Sequence, residues 1–218
     1  MIIRRTLPFL MLLLAGCSFF SRSQSRFFSL DRIAPTTPVA TVRGLPIGID
    51  GVELPPGLDR REIVVRKADH QLEVRSTEQW SALLQPLVLH TLAFDLAARM
   101  PEGMVILPGE SKPTGAMRSI DVVLEDLTAG PDAKVVLDGR WVVRENGRPD
   151  VVRHERIVVD IASLDSAAIA TGVSQALGML ADRMATGMSG APPVSAAGSP
   201  RRLEPNILPS TAAAKSVA

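Results

Sequence analysis

The chain has a single cysteine, Cys17, which ends an N-terminal segment of the kind found on exported proteins. Arg4 and Arg5 form a short positive region, residues 7–14 are apolar, and small residues precede the cysteine. This order is the secretory pattern, and the apolar run is too short to span a bilayer as a permanent helix. Because one cysteine cannot form an intramolecular disulfide, the exported domain depends on a packed apolar core.

The residues around this cysteine also resemble the lipobox of bacterial lipoproteins, since residues 14–17 read Leu-Ala-Gly-Cys. In that motif the cysteine is lipidated and becomes the first residue of the mature protein. We therefore predict a signal peptide over residues 1–16, lipidation of Cys17 by acyl chains such as palmitate, and a lipidated tether over residues 17–26. Several acyl chains make a stable anchor, because each buried methylene contributes about 0.8 kcal/mol. An ordinary signal peptide with a chance cysteine is the alternative.

The residue after the cysteine, Ser18, bears on the membrane in which the protein resides. In Gram-negative lipoproteins an aspartate at that position tends to retain the protein in the inner membrane. The resemblance to these lipoproteins therefore implies the outer membrane, with the domain on its periplasmic face.

The charge balance argues against a nucleic-acid partner. Of the 24 basic residues, Arg4 and Arg5 leave with the signal peptide, and the 23 acidic residues then place the mature chain one charge below neutral. Nucleic-acid binding takes most of its affinity from phosphate neutralisation by a basic surface. Residues 27–190 are enough for one domain, and residues 191–218, rich in Ala, Ser and Pro, predict a disordered tail.

The first part of the domain has the alternation that is typical of strands. Strands are predicted over residues 27–30, 45–54, 62–66 and 71–75. In the second of these, Ile47, Ile49 and Val52 are predicted to point inward. The last two flank a polar turn and predict a hairpin.

Residues 80–100 change period and predict a helix. Its main stripe comprises Trp80, Leu84, Leu87, Thr91, Phe94 and Ala98. Three further leucines lie off this stripe, namely Leu89, Leu92 and Leu96. We predict that they form a partner-facing surface, because several leucines exposed on a monomer need a cover. The alternative is burial inside the domain against a second helix, through Leu177 and Leu180.

The second part of the domain combines strands with a second helix. Alternating apolar residues predict strands around residues 120–125, 135–143 and 157–161, and apolar residues spaced by three or four predict a helix over residues 166–188. Asn146-Gly147 suits a type I′ hairpin turn between the last two strands. The predicted fold class is α+β: an antiparallel sheet with two helices packed on one face, in the order strands, helix, strands, helix.

No pattern in the chain predicts catalysis, a metal site or a cofactor. His70, His90 and His154 fall in a turn, a helix and a strand, without a Cys or His companion at metal-ligand spacing. Residues 109–115 lack the lysine that follows the second glycine of a phosphate-binding loop, and residues 187–191 end in alanine where a nucleophile elbow needs glycine. The sequence therefore predicts that the protein is not an enzyme.

A rigid corner is predicted before the hairpin, at Leu54, Pro55, Leu58, Asp59 and Arg60. The prolines fix the direction of the chain, and the Asp-Arg pair can hold the following hairpin by local hydrogen bonds. We predict a role in the fold or in docking, and a plain loop is the alternative.

Several of these features occur together in one known family. They are the lipobox, residues 27–30 (Phe-Phe-Ser-Leu), residues 52–60 (Val-Glu-Leu-Pro-Pro-Gly-Leu-Asp-Arg), residues 63–66, and Trp80 followed by Leu83, Pro86 and Leu87. The chain thereby resembles the ABC-type transport auxiliary lipoproteins, the PqiC-like subunits of membrane-integrity-associated transporters. Phe28 departs from the family's usual tyrosine, which removes a hydroxyl and keeps the ring.

The resemblance implies a non-catalytic outer-membrane lipoprotein in an MCE/ABC-type phospholipid transport system. Its implied partners are an MCE-type periplasmic protein and an ABC permease and ATPase, and its implied role is to dock the periplasmic component at the outer membrane. A homo-oligomer is a further predicted form. The alternative function is a structural envelope lipoprotein without a transport partner.

Overall fold

The computed structural model describes residues 24–36 and 44–189, so the predicted signal peptide, Cys17 and the tail over residues 191–218 lie outside the described residues. The described part is α+β, with strands and helices in the predicted order of strands, helix, strands, helix. The elements are β1 (Arg26–Phe28), β2 (Ile47–Glu53), β3 (Glu62–Arg66), β4 (Leu72–Trp80), α1 (Leu84–Ala97), β5 (Val105–Ile106), β6 (Arg118–Gly130), β7 (Lys134–Glu145), β8 (Val151–Asp160) and α2 (Ser166–Met188).

The sheet is mixed, and the prediction of an antiparallel sheet is wrong. Strands β6, β7 and β8 are antiparallel neighbours, and so are β3 and β4. The pairs β1–β4, β2–β5, β2–β6 and β3–β6 are parallel. Parallel pairing needs a crossover connection, and the hairpin and α1 between β2 and β6 provide one. The alternation of apolar residues reports which face a side chain occupies and not the direction of the strand, so it did not reveal this topology.

The long strand β6 organises the sheet. One of its edges pairs with β7 along the whole strand, from Arg118 to Gly130. The other edge is shared, because β2 pairs with residues 118–123 and β3 with Ala129. Strand β2 has a register shift between Ile49 and Gly51, and this extra residue lets Val52 face the same side as Ile49 although the two are three positions apart. As predicted, Ile47, Ile49 and Val52 are all buried.

The first helix begins later than predicted. Trp80 is the last residue of β4 and not a helical residue, because its backbone N–H donates to the carbonyl oxygen of Arg61 at 2.6 Å. The next residue, Ser81, donates to the carbonyl of Phe28 at 2.7 Å. Helix α1 therefore starts at Leu84, after the chain has left the sheet.

The second helix is confirmed over residues 166–188. Asp165 precedes it, and its side chain accepts a hydrogen bond from the backbone N–H of Ala168 at 2.9 Å, which satisfies one of the free donors of the first turn. Helix α2 packs closely on β7, since a Cβ added at Gly172 would lie 2.8 Å from Val135. Helix α1 contacts β2 and β5, and the two helices contact each other.

The outward carboxylates of β6, β7 and β8 carry ion pairs. The partners are Arg144 with Asp121, Arg140 with Glu125, Arg156 with Asp138, and Lys134 with Asp160. All four cations are at least one-third exposed, so these pairs lie at the solvated surface and contribute little to stability. None of the helices within residues 24–36 and 44–189 is long and apolar enough to cross a membrane.

The connection between β7 and β8 differs from the predicted type I′ turn. That turn needs positive φ at both central residues, and only Gly147, with φ of 79°, has it. The connecting loop runs over residues 146–150, so it is longer than a two-residue hairpin loop. The backbone N–H of Arg148 donates to the carbonyl of Glu145 at 3.0 Å, which closes a turn that tolerates Asn146 at ordinary φ.

Candidate functional site

The corner between β2 and β3 is a compact loop that packs inward at two points. Leu58 is 5% exposed, and Leu54 packs partly buried against the core. The backbone N–H of Leu58 donates to the carbonyl of Pro55 at 3.1 Å, and Gly57 between them has φ of +86°, a conformation that favours glycine. The exposed tip of the corner is Pro56-Gly57.

The two charged residues of the corner bind different elements. The Arg60 guanidinium pairs with Glu62, the first residue of β3, at 3.0 Å. A backbone hydrogen bond lowers the pKa of Glu62, and the hydrogen bond from Arg60 lowers it further. Asp59 instead reaches helix α1, where its carboxylate accepts from the backbone N–H of Gln85 at 3.0 Å. The Gln85 side chain donates to the carbonyl of Val52 at 2.7 Å. The corner thus joins β2, β3 and the start of α1.

Asp59 acts as a cap supplied from outside the helix. The N-cap residue of α1, Leu83, makes no side-chain cap bond, and the first turn contains no acidic residue. A carboxylate at this position satisfies one free N–H and lies at the positive end of the helix dipole. No local pattern reveals this contact, because Asp59 and Gln85 are 26 residues apart.

The predicted partner face on α1 is largely wrong. Leu92 and Leu96 are both fully buried, and Leu89 is partly buried and packs against the core. The buried residues of the helix include Leu84 and Thr91 of the predicted stripe together with Val88, so the helix is covered on more than one face. Two of the three leucines are thus unavailable to a partner, as the alternative of burial in the domain supposed.

A segment after β1 crosses the groove between the two helices, and we call residues 31–36 the strap. The backbone N–H of Asp31 donates to Ser174 Oγ on α2 at 3.0 Å. The backbone N–H of Ile33 donates to Asp95 Oδ1 on α1 at 2.9 Å. The Ile33 side chain lies on Gly178 of α2, where an added Cβ would come within 2.6 Å of Ile33 Cβ. The strap therefore binds both helices.

A buried arginine under the strap joins the same elements. Arg99 is 2% exposed, and its Nε donates to Asp182 Oδ1 on α2 at 2.7 Å. Its Nη1 donates to the carbonyl of Ile33 at 2.9 Å and to that of Asp95 at 2.8 Å. A longer bond of 3.4 Å reaches the carbonyl of Ala34. One side chain thus connects the strap, α1 and α2.

Asp95 is a buried acid in this cluster. Burial raises its pKa, while the hydrogen bond from Ile33 and the charge of Arg99 act in the opposite direction. One carboxylate oxygen, Oδ2, is buried and has no hydrogen-bond partner among the described residues. The sequence does carry a signal for this cluster, because Asp95 and Arg99 are four residues apart and are the only Asp, Glu, Lys or Arg residues of the helix predicted over residues 80–100.

The histidines are not brought together. His70 lies in the β3–β4 turn with φ of 65°, His90 on α1 and His154 on β8, and all three are exposed. Within the described ranges there is no group of three or more His, Cys, Asp or Glu side chains placed to hold a metal ion. An open hollow of about 540 Å³ lies beside β5, between Pro46 and the loop around Glu102, and its mouth is broad.

Comparison with known proteins places this fold in a family. The family model described as the ABC-type transport auxiliary lipoprotein component matches residues 28–185. The Intermembrane transport lipoprotein PqiC of Escherichia coli (strain K12) is 24% identical over 137 residues, which cover 62% of this chain and 71% of that protein. The protein of the same name from Shigella flexneri gives the same values.

Two solved structures share the fold. The crystal structure of an uncharacterized protein has a TM-score of 0.62 at 17% identity, covering 76% of this chain and 99% of that one. Protein XCC0632 from Xanthomonas campestris has a TM-score of 0.58 at 11% identity, covering 76% of this chain and 96% of its own. The matched region runs from β1 to the last turns of α2 and includes the corner, the strap and the buried Arg99. The chain belongs to the family of ABC-type transport auxiliary lipoproteins.

Proposed function

We propose that the chain is a non-catalytic lipoprotein subunit of an MCE/ABC-type phospholipid transport system, anchored at the periplasmic face of the outer membrane. The observation that carries the proposal is the family match over residues 28–185, which spans nearly the whole described domain. The relatives named Intermembrane transport lipoprotein support a role in transport between membranes. In this role the domain docks the periplasmic MCE-type component and thereby the ABC permease and ATPase.

Cys17 is the proposed site of anchoring. It ends a lipobox-like sequence and lies nine positions before β1 begins at Arg26. Cys17→Ser should abolish incorporation of radiolabelled palmitate and block maturation, while the wild-type chain is labelled. Equal labelling of the two proteins would overturn the proposed lipidation.

The proposed outer-membrane location depends on Ser18. Ser18→Asp should move the lipidated protein to the inner-membrane fraction of a sucrose gradient, and Ser18→Ala is the matched control that should stay in the outer-membrane fraction. A lipidated wild-type protein that already sediments with the inner membrane would contradict the proposed location.

The corner is the proposed docking element, because its tip is exposed while its charged residues bind other parts of the domain. Pro56 and Gly57 are exposed, whereas Asp59 and Arg60 have partners inside the domain. A docking role for the tip predicts that Pro56→Glu weakens partner binding and leaves thermal stability unchanged. The matched control is Glu102→Ala, an exposed change in the loop near the hollow beside β5.

The transport role is tested by affinity purification of the lipidated protein from detergent-solubilised membranes. We expect an MCE-domain protein and an ABC permease or ATPase to copurify, identified by mass spectrometry. The same bait carrying Pro56→Glu should recover less of the MCE-domain protein. Recovery of the lipidated, correctly located bait without any of these components would favour the structural envelope lipoprotein instead.

A further inference from the structure

Three large apolar side chains are exposed on β1 and β4, the two strands at one edge of the sheet. Phe27 on β1 is 60% exposed, and Leu72 and Val74 on β4 are 51% and 42% exposed. The buried side chains of the neighbouring strand β3, Ile63 and Val65, point the other way into the core. We call the three exposed residues the edge patch.

Strand register places the edge patch on one face. Phe27 is the partner of Gln79 on β4, and Gln79 is the partner of Glu62 on β3. Two residues further along β3, Val64 is the partner of Val74, and the next outward pair joins Arg66 to Leu72. Side chains of paired residues share a face, so the three residues lie on one face of the sheet, with Phe27 about 17 Å along the strand from Val74.

The backward direction of β1 points toward the β3–β4 turn. Strand β1 is parallel to β4, with Arg26 opposite Glu78 and Phe28 opposite Trp80. Followed backward from Phe28 to Arg26, β1 therefore runs in the direction of Leu72, the first residue of β4. From Arg26 the nine residues back to Cys17 can span about 30 Å at full extension. The distance from Glu78 to Leu72 is about 20 Å along the strand, so the anchor can reach beyond the patch.

Most charges near the edge patch have partners within the domain, while Asp69 in the β3–β4 turn is exposed and accepts only from the backbone N–H of Gln71 at 3.3 Å among the described residues. Arg26 pairs with Glu78 at 3.0 Å, and Lys67 in the turn pairs with Glu73. Arg66, beside Leu72 on the same face, pairs with Asp126 at 3.0 Å. Paired charges at the rim of an apolar patch fit the polar headgroup layer, where water still solvates them.

We propose that the edge patch rests in the headgroup region of the membrane that holds the lipid anchor, with the β3–β4 turn lowermost. The proposal depends on the proposed lipidation of Cys17 and adds an orientation to it. Exposed apolar groups on a tethered domain gain from entering the boundary between headgroups and acyl chains, and the tether keeps them within reach. The occupant of the patch is thus a phospholipid surface.

The test uses the lipidated protein in vesicles of phosphatidylethanolamine and phosphatidylglycerol. Val74→Cys carries a spin label, and the matched control is Val152→Cys on β8, where the native side chain has a similar exposure of 45%. Strand β8 lies at the opposite edge of the sheet, five strands from β1, or about 24 Å. Leu72→Cys is an independent second position within the patch, and circular dichroism checks the fold of each variant.

We expect the label at residue 74 to be protected from a water-soluble nickel chelate and more accessible to oxygen, which concentrates among acyl chains. The label at residue 152 should show the opposite preference. Equal accessibility at the two sites in vesicle-bound protein would overturn the proposal. Protection of residue 74 from both reagents would also overturn it, because that pattern indicates cover by protein.

The wild-type protein separates this proposal from the proposed function. Its only sulfhydryl belongs to Cys17, which lipidation converts into an unreactive thioether. Labelling of the wild-type protein would therefore overturn lipidation itself, and with it the orientation. Absence of labelling together with equal accessibility at residues 74 and 152 would overturn the orientation alone.

Discussion

Replacement of Arg99 by methionine should be one of the most damaging single changes in the domain. The guanidinium is 2% exposed and binds Asp182 together with the carbonyls of Ile33, Ala34 and Asp95. The methionine side chain is unbranched and also reaches into the core, but it has no hydrogen-bond donor. Asp182 is then left as a carboxylate without its cation, at a site where its side chain is 16% exposed.

The expected loss follows from the burial of this pair. Removing one partner of a buried ion pair costs about 3–5 kcal/mol, because the other charge stays desolvated. Domains of this size have a free energy of unfolding of about 5–15 kcal/mol, so Arg99→Met should leave a marginal fold. The matched control is Arg140→Met, which breaks the exposed pair with Glu125 and should cost at most about 1 kcal/mol.

Equilibrium unfolding in urea provides the measurement. Trp80 and Trp141 are 3% and 1% exposed, so their fluorescence reports the loss of the core. The double variant Arg99→Met, Asp182→Leu should recover part of the loss, because apolar side chains can replace a buried ion pair at little net cost. The reasoning is refuted if Arg99→Met lies within about 1 kcal/mol of Arg140→Met, the range expected for a surface pair.

Three further changes test the corner, the helix and the acid under the strap. Asp59→Ala should lower the free energy of unfolding in urea by about 0.5–2 kcal/mol, because the backbone N–H of Gln85 loses its cap. Asp59→Asn keeps an acceptor oxygen and should retain most of that stability. Leu96→Ala should lower the free energy of unfolding by about 2–5 kcal/mol, and Leu89→Ala should lower it by less. A Leu96→Ala protein that loses partner binding without losing stability would contradict the burial of Leu96. Burial raises the pKa of Asp95, so the neutral acid favours the folded state, and the free energy of unfolding should fall as the pH rises from the ordinary aspartate value through the raised one. Asp95→Asn should remove that slope in urea titrations at several pH values, and an unchanged slope would assign it to another group.

Local patterns located α2 and at least part of seven of the eight strands, because burial there is periodic, and they missed the two-residue strand β5. Alternation placed Ile47, Ile49 and Val52 inward, and spacing by three or four residues placed α2. Trp80 shows the limit of such patterns. It fits a helical stripe as well as a strand end, and only the distant partners Arg61 and Phe28 decide between them.

The features that a single sequence hides are pairings between distant segments. The cap of α1 comes from Asp59, and the partner of Arg99 comes from Asp182, 83 residues further along. Strand direction is hidden for the same reason, since β1 pairs with residues 78–80 across 52 positions. The leucines of α1 were misassigned because a helix apolar on several faces looks the same whether a sheet and a helix cover it or a partner does.

The strap explains why a charged cluster lies in a core that apolar side chains could fill. Strand β1 pairs with β4 over three residues only, which is a weak attachment for the end of the chain that bears the proposed anchor. The chain then continues into the strap, where Ser174 and Asp95 accept its N–H groups and Arg99 binds its carbonyls. Backbone N–H and C=O groups cannot be buried without partners, so an irregular segment that crosses two helices needs polar side chains beneath it. The cluster thereby binds the chain just after β1 to both helices, so release of the strap requires the loss of its contacts with α1 and α2.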